Sequence, residues 1–164
     1  TGELAASGLH FNLSHSRGLV AIALAAGRRV GVDVEFCRAD LDTDRLARRF
    51  FAPAELEQFL GLPVVQRAAA FYACWTRKEA YLKARGEGVA GGLRRFAVSL
   101  RPGEEPALLE RPGGSGPQPR WRLATVDGPP QYAGAVCAEG TAWRLSLGTW
   151  DLGARAPRPG PLRV

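Results

Sequence analysis

The stretch from Val64 to Arg85 contains neither Gly nor Pro and is dominated by good helix formers, so it predicts one long α-helix. The glycine-rich segment Gly86 to Gly92 ends it. Its apolar residues Ala68, Phe71, Tyr72, Trp75, Tyr81 and Leu82 follow no single narrow stripe, which implies a helix packed over much of its circumference. Such a helix is a scaffold around which the rest of the chain must be arranged. Residues four apart share a helix face, so Trp75, Glu79 and Lys83 rise in line, with Lys78 one step around. Taken alone, Glu79 and Lys83 would be an exposed ion pair worth about 0.3–0.5 kcal/mol.

The chain is long enough for one domain with its own core, and it has no apolar run of membrane-spanning length. Thr1 to Leu9 lacks the basic-then-apolar pattern of a signal peptide, so a cytoplasmic protein is expected. Cys37, Cys74 and Cys137 stand singly among apolar neighbours, without CxxC spacing, and read as buried free thiols. The formal charge of +6 favours anionic partners. All but two of the basic residues are arginines, and no basic run is interleaved with aromatics, so a nucleic-acid role is not expected.

The order of elements predicts an α+β fold. His10 to Ser16, Leu19 to Ala25 and Val30 to Glu35 read as three strands joined by tight turns, hence an antiparallel meander. Asp42 or Thr43 is the expected N-cap of a helix running to Phe51, and Pro53 begins a second, ended by Gly61 and Pro63. Phe50, Phe51, Leu56, Phe59 and Leu60 read as core, while Glu55 reads as a solvent-facing residue of a helix start. After the long helix, Phe96 to Leu100 is a strand candidate, and Arg101 to Pro119 reads as a long loop. Trp121 to Val126, Gln131 to Ala138 and Thr141 to Trp150 are expected to form a second meander, with residues 151–164 a disordered tail.

Two places carry chemistry beyond the long helix. In the strand Val30-Gly-Val-Asp33-Val-Glu35 the valines face one way, while Gly31, Asp33 and Glu35 face the other. Two carboxylates on one strand face repel, so either solvent at an edge or a bound cation compensates them; a hard divalent ion such as Mg²⁺ wants such oxygen ligands. Ser14 and His15 at a strand end are ordinary turn residues, or, beside Arg17, donors to a phosphate.

Three segments stand together: Asn12-Leu-Ser14-His15-Ser16, Gly31-Val-Asp33-Val-Glu35, and Trp75-Thr-Arg-Lys78-Glu79-Ala-Tyr-Leu-Lys83-Ala-Arg-Gly86-Glu-Gly88. In that order and spacing they resemble the 4'-phosphopantetheinyl transferases of the surfactin-synthetase-activating type, with Arg49-Phe50-Phe51 and Glu55 adding to the likeness. The resemblance fades beyond about Leu100. It implies that Asp33, Glu35 and Glu79 hold Mg²⁺ against the pyrophosphate of coenzyme A. It further implies that Lys83 contacts that pyrophosphate, with Lys78 beside it in the coenzyme A site, and that Ser14 and His15 bind the phosphate end of the nucleotide. The implied reaction is attack by a serine of an apo acyl, polyketide or peptidyl carrier protein on the β-phosphate of coenzyme A, with 3',5'-adenosine diphosphate leaving. Mg²⁺ and Lys83 would neutralise the developing charge, and Glu79, directly or through a cation-held water, is the candidate base; Asp33 completes the catalytic set.

Members of that type have two similar lobes with coenzyme A between them. The resemblance therefore implies that residues 1–29 are the last strands of a first lobe, most of which is missing, and that residues 30–150 are the second lobe with the metal site. An inactive relative that binds coenzyme A or a carrier protein without turnover is the competing expectation.

Overall fold

The computed structural model describes residues 8–87, 92–110 and 119–150. In chain order the elements are β1 (Leu9–Ser16), β2 (Leu19–Ala26), β3 (Val30–Phe36), α1 (Thr43–Phe50), α2 (Pro53–Leu60), α3 (Val64–Arg85), a 3-10 turn at Leu93–Arg95, β4 (Ala97–Val98), β5 (Leu108–Glu110), β6 (Trp121–Thr125) and β7 (Tyr132–Glu139). The α+β expectation holds. The tail expected at 151–164 lies outside the described residues.

Each helix starts and stops for a local reason. The Asp42 carboxylate accepts from the Arg45 amide at 3.0 Å and caps α1. Pro53 opens α2, where its missing N–H costs nothing. Gly86, in the left-handed conformation at φ 72°, closes α3 with its amide on the Leu82 and Lys83 carbonyls.

The helix α3 packs as its unstriped sequence predicts, with Phe71, Tyr72, Cys74, Tyr81 and Leu82 all buried. Its aromatic residues extend the core in both directions. Phe71 stacks on Phe51 and Trp75, and Tyr81 meets Phe96 and Trp121. Phe51 and Phe59 are buried, and Phe50, Leu56 and Leu60 pack against them half-buried.

The strands depart from the expected meanders. Among the described residues β1 and β2 pair only with each other, whereas β3 pairs antiparallel with β7, which pairs on its other edge with β6. β3 does not extend the hairpin because side chains occupy its free edge. The Val32 amide donates to Asn12 Oδ1 at 3.0 Å, Val34 to Ser14 Oγ at 3.3 Å and Phe36 to Ser16 Oγ at 3.1 Å. Three backbone donors are thereby satisfied without a strand ladder. Thr141 to Trp150 is not a strand: β7 already has a partner on each edge, and Leu147 and Trp150 are exposed. Of Phe96 to Leu100 only Ala97–Val98 pairs, and its partner β5 arises within the stretch read as a loop.

Gly31 sets the distance between β3 and α3. A Cβ there would lie 2.2 Å from the Ala80 carbonyl oxygen and 2.3 Å from the Ala84 nitrogen, both backbone atoms. Only glycine lets the strand sit this close to the helix that carries Glu79 and Lys83. No helix among the described residues is long and apolar enough to cross a membrane.

Candidate active site between β1, β3 and α3

Three elements converge on a cleft of about 450 Å³ lined by Leu13, Ser14, His15, Asp33, Glu35, Trp75, Glu79 and Lys83. β3 contributes Asp33 and Glu35 from one face, as strand alternation requires, and α3 contributes Trp75, Glu79 and Lys83 from successive turns. Six of the seven residues expected to form the site therefore meet in one place.

At the cleft floor lies a compact network. Lys83 Nζ donates to Asp33 Oδ1 at 2.7 Å, Ser14 Oγ at 3.0 Å and the Val32 carbonyl at 3.1 Å. Ser14 Oγ in turn donates to Asp33 Oδ1 at 2.9 Å. Glu35 accepts from Ser16 Oγ at 2.9 Å. The other Asp33 oxygen, Oδ2, and Glu79 Oε1 are buried with no hydrogen-bond partner.

Burial, the largest influence, pushes the Asp33 carboxyl above its ordinary value, although Lys83 and Ser14 pull it back. Glu79 is raised too, by burial first and then by the Asp33 charge. Buried carboxylate oxygens lacking donors are costly unless something outside the protein satisfies them. Among the described residues no three His, Cys, Asp or Glu side chains make a ready-formed metal cage.

Lys78 corrects one expectation. It is fully buried, donates to Glu55 Oε1 and Oε2 at 2.7 and 2.6 Å and to the Phe96 carbonyl at 2.6 Å, and takes no part in the cleft. One position along a helix turns a side chain by about 100°, so its neighbour Glu79 faces the cleft while Lys78 faces the core. Glu55 is correspondingly not solvent-facing. Its carboxylate also accepts from the Ala52 and Val98 amides, each at 2.7 Å, so it ties α2, α3 and β4 together.

Arg17, expected beside Ser14 and His15, instead stacks over the Phe36 ring at 4.1 Å and lines a neighbouring cleft with Arg38, Leu46, Phe71 and Tyr72. The two clefts share Glu35 and Trp75. The tethering roles of Asn12 and Ser16 escaped the sequence reading; small polar residues at every second position of β1 were their only signal. Cys74 and Cys137 are buried, and burial lifts the Cys137 thiol to about 12, which removes it from nucleophilic chemistry. Cys37 is half-buried.

Comparison with known proteins bears on what such a cleft belongs to. The 4'-phosphopantetheinyl transferase superfamily model matches residues 29–137. The 4'-phosphopantetheinyl transferase HetI of Nostoc sp. is 40% identical over 142 residues, covering 87% of this chain and 56% of that protein. The 4'-phosphopantetheinyl transferase Sfp of Bacillus subtilis is 30% identical over 129 residues, covering 79% of this chain and 54% of that protein. The chain thus spans about half the length of these curated relatives. Among solved structures, a holo-(acyl-carrier-protein) synthase of Bacillus anthracis in complex with CoA is 21% identical, covering 68% of this chain and 94% of that one, with a TM-score of 0.49. The superfamily-model match reaches from just before β3 through α3 to β7, and thus spans the strand and helix that carry the cleft's carboxylates: the chain belongs to the 4'-phosphopantetheinyl transferase superfamily.

Proposed function

We propose that the chain carries the catalytic cleft of an enzyme that moves 4'-phosphopantetheine from coenzyme A to a serine of an apo acyl, polyketide or peptidyl carrier protein. The observation that carries this reading is the pair of buried oxygens without hydrogen-bond partners, Asp33 Oδ2 and Glu79 Oε1, on two residues that line one cleft beside a lysine. Hard, anionic oxygen donors are what Mg²⁺ takes, and Mg²⁺ usually completes its shell with substrate phosphate and water rather than an all-protein cage. Asp33, Glu35 and Glu79 would hold it. When bound, the ion supplies neutralisation of pyrophosphate charge.

The chain's own residues do the rest. Lys83 lines the cleft and would bring its positive charge to the pyrophosphate on leaving Asp33; Ser14 and His15 line the same cleft and would contact the nucleotide's phosphates, Ser14 once its hydroxyl turns from Asp33. Glu79, whose carboxyl burial and the Asp33 charge raise in the absence of a cation, would accept the proton of the carrier serine, directly or through a cation-held water, as the serine oxygen bonds to the β-phosphorus. The bond from that phosphorus to the bridging oxygen breaks, and 3',5'-adenosine diphosphate departs with the electron pair. Free cysteines without a disulfide suit action in the reducing cytoplasm.

We propose that residues 1–29 belong to a first lobe and residues 30–150 to a second. The hairpin β1–β2 is a separate sheet that meets β3 through side chains instead of a ladder, which supports reading it as the margin of another lobe. The competing reading is binding of coenzyme A or a carrier protein without turnover. Mass spectrometry of an apo carrier protein incubated with this chain, coenzyme A and Mg²⁺ separates the two. A pantetheine-sized gain on the carrier serine establishes transfer, whereas no gain despite calorimetric binding of coenzyme A establishes the competing reading.

A further inference from the structure

An ammonium group has three donors, and in Lys83 each has an acceptor within 3.1 Å: Asp33 Oδ1, Ser14 Oγ and the Val32 carbonyl. Ser14 is equally committed, since its hydroxyl donates to Asp33 while accepting from Lys83 and from the Val34 amide. Lys83 therefore has no donor left for a phosphate. The same contact leaves Asp33 with one oxygen neutralised and the other, Oδ2, without a partner. The lysine and a divalent cation would compete for one carboxylate.

We propose that Lys83 is a resident counter-cation for Asp33 that gives up this contact when a divalent cation arrives, and only then becomes a ligand for the pyrophosphate. The inference rests on the cation-site reading above and adds a direction to it: in the chain without coenzyme A, Lys83 opposes metal binding. Its side chain is 28% exposed while that of Asp33 is 6% exposed, so the lysine has room to swing into the cleft and the aspartate does not. Charge-assisted hydrogen bonds are the strong ones, so one cation replaces another on Asp33 instead of leaving it bare. Metal loading and phosphate recognition become coupled through one side chain, without any backbone movement.

Two measurements on this full chain without coenzyme A test the idea. The first is Mn²⁺ binding by electron paramagnetic resonance in the wild type and in Lys83→Met. The variant is expected to bind Mn²⁺ more tightly, on the order of tenfold, the equivalent of losing one charge-assisted contact. The second exploits the presence of only two lysines in the sequence, Lys78 and Lys83. In the protein labelled with ¹⁵N-lysine, both ammonium groups are held by three acceptor atoms or more and are expected to give protected signals. Saturating Mg²⁺ is expected to release the Lys83 signal to solvent exchange while the buried Lys78 signal persists as an internal control. Equal or weaker Mn²⁺ affinity in Lys83→Met, or a Lys83 signal that stays protected at saturating Mg²⁺, overturns the proposal and leaves the cation site standing. If neither protein shows Mn²⁺ binding that depends on Asp33 and Glu79, the cation-site reading falls and the proposal with it.

Discussion

Gly31→Ala is the smallest change that attacks the site through the fold. The glycine is not in a left-handed conformation, so alanine suffers no backbone strain there and the effect is purely steric. The added Cβ would meet the Ala80 carbonyl oxygen at 2.2 Å, against an ordinary contact starting at 3.4 Å, so strand and helix must separate by roughly 3.4 − 2.2 = 1.2 Å. Neither obstacle is a flexible side-chain end. Overpacking of this kind costs about 3 kcal/mol. For a domain of this size that corresponds to a fall in Tm of roughly 6–12 °C. The same separation moves Asp33 away from Glu79 and Lys83, and a misplacement of about 1 Å costs on the order of 10²-fold in rate. The assay combines thermal unfolding followed by circular dichroism with the carrier mass-shift assay, run below the variant's transition. Gly18→Ala is the control, because its Cβ would meet nothing within 4 Å. A Gly31→Ala protein with unchanged Tm and unchanged transfer would refute the close-approach argument.

Lys83→Ala is expected to lower transfer by about 10²–10³-fold, as loss of one donor that stabilises transition-state charge does, while Lys83→Arg recovers only part because a planar guanidinium does not fit the place of a compact ammonium; wild-type rates in the alanine variant would remove Lys83 from the chemistry. Glu79 has a raised folded-state pKa, so its contribution to stability is present below the ordinary glutamate range and lost as pH rises through the raised value. In chelator, Glu79→Gln should therefore equal or exceed the wild type in urea stability at pH 7, the difference closing toward pH 4, and a variant less stable at pH 7 contradicts that sign. Lys78→Met strands the Glu55 carboxylate in the core and is expected to cost about 3–5 kcal/mol, read by urea denaturation; a loss under 1 kcal/mol would show that the pair is not what ties α2, α3 and β4. Phe11, Leu13, Val20, Ile22 and Leu24 form an exposed apolar face on the β1–β2 hairpin, so the chain is expected to self-associate as concentration rises, and Ile22→Lys to reduce this in light scattering.

Periodicity and punctuation alone determined the elements that depend on near neighbours. The helix from Val64 to Arg85, its end at Gly86, the start of a helix at Asp42 or Thr43, and the common face of Asp33 and Glu35 follow from spacing along the chain. So does the column of Trp75, Glu79 and Lys83, because a helix or strand fixes side-chain direction before any packing occurs. What only the tertiary structure decided depends on which element lies against which. Strand pairing is such a case: tight turns favour a meander, but the Asn12, Ser14 and Ser16 side chains took the amides of β3 and left its ladder to β7, more than a hundred residues away in places. Lys78 and Glu79 are adjacent and both charged, yet one is buried against Glu55 and the other opens on the cleft, since the partner that neutralises Lys78 comes from another helix. A charge's role is set by the dielectric and the counter-charges around it, and these are properties of the packed chain that no local spacing contains.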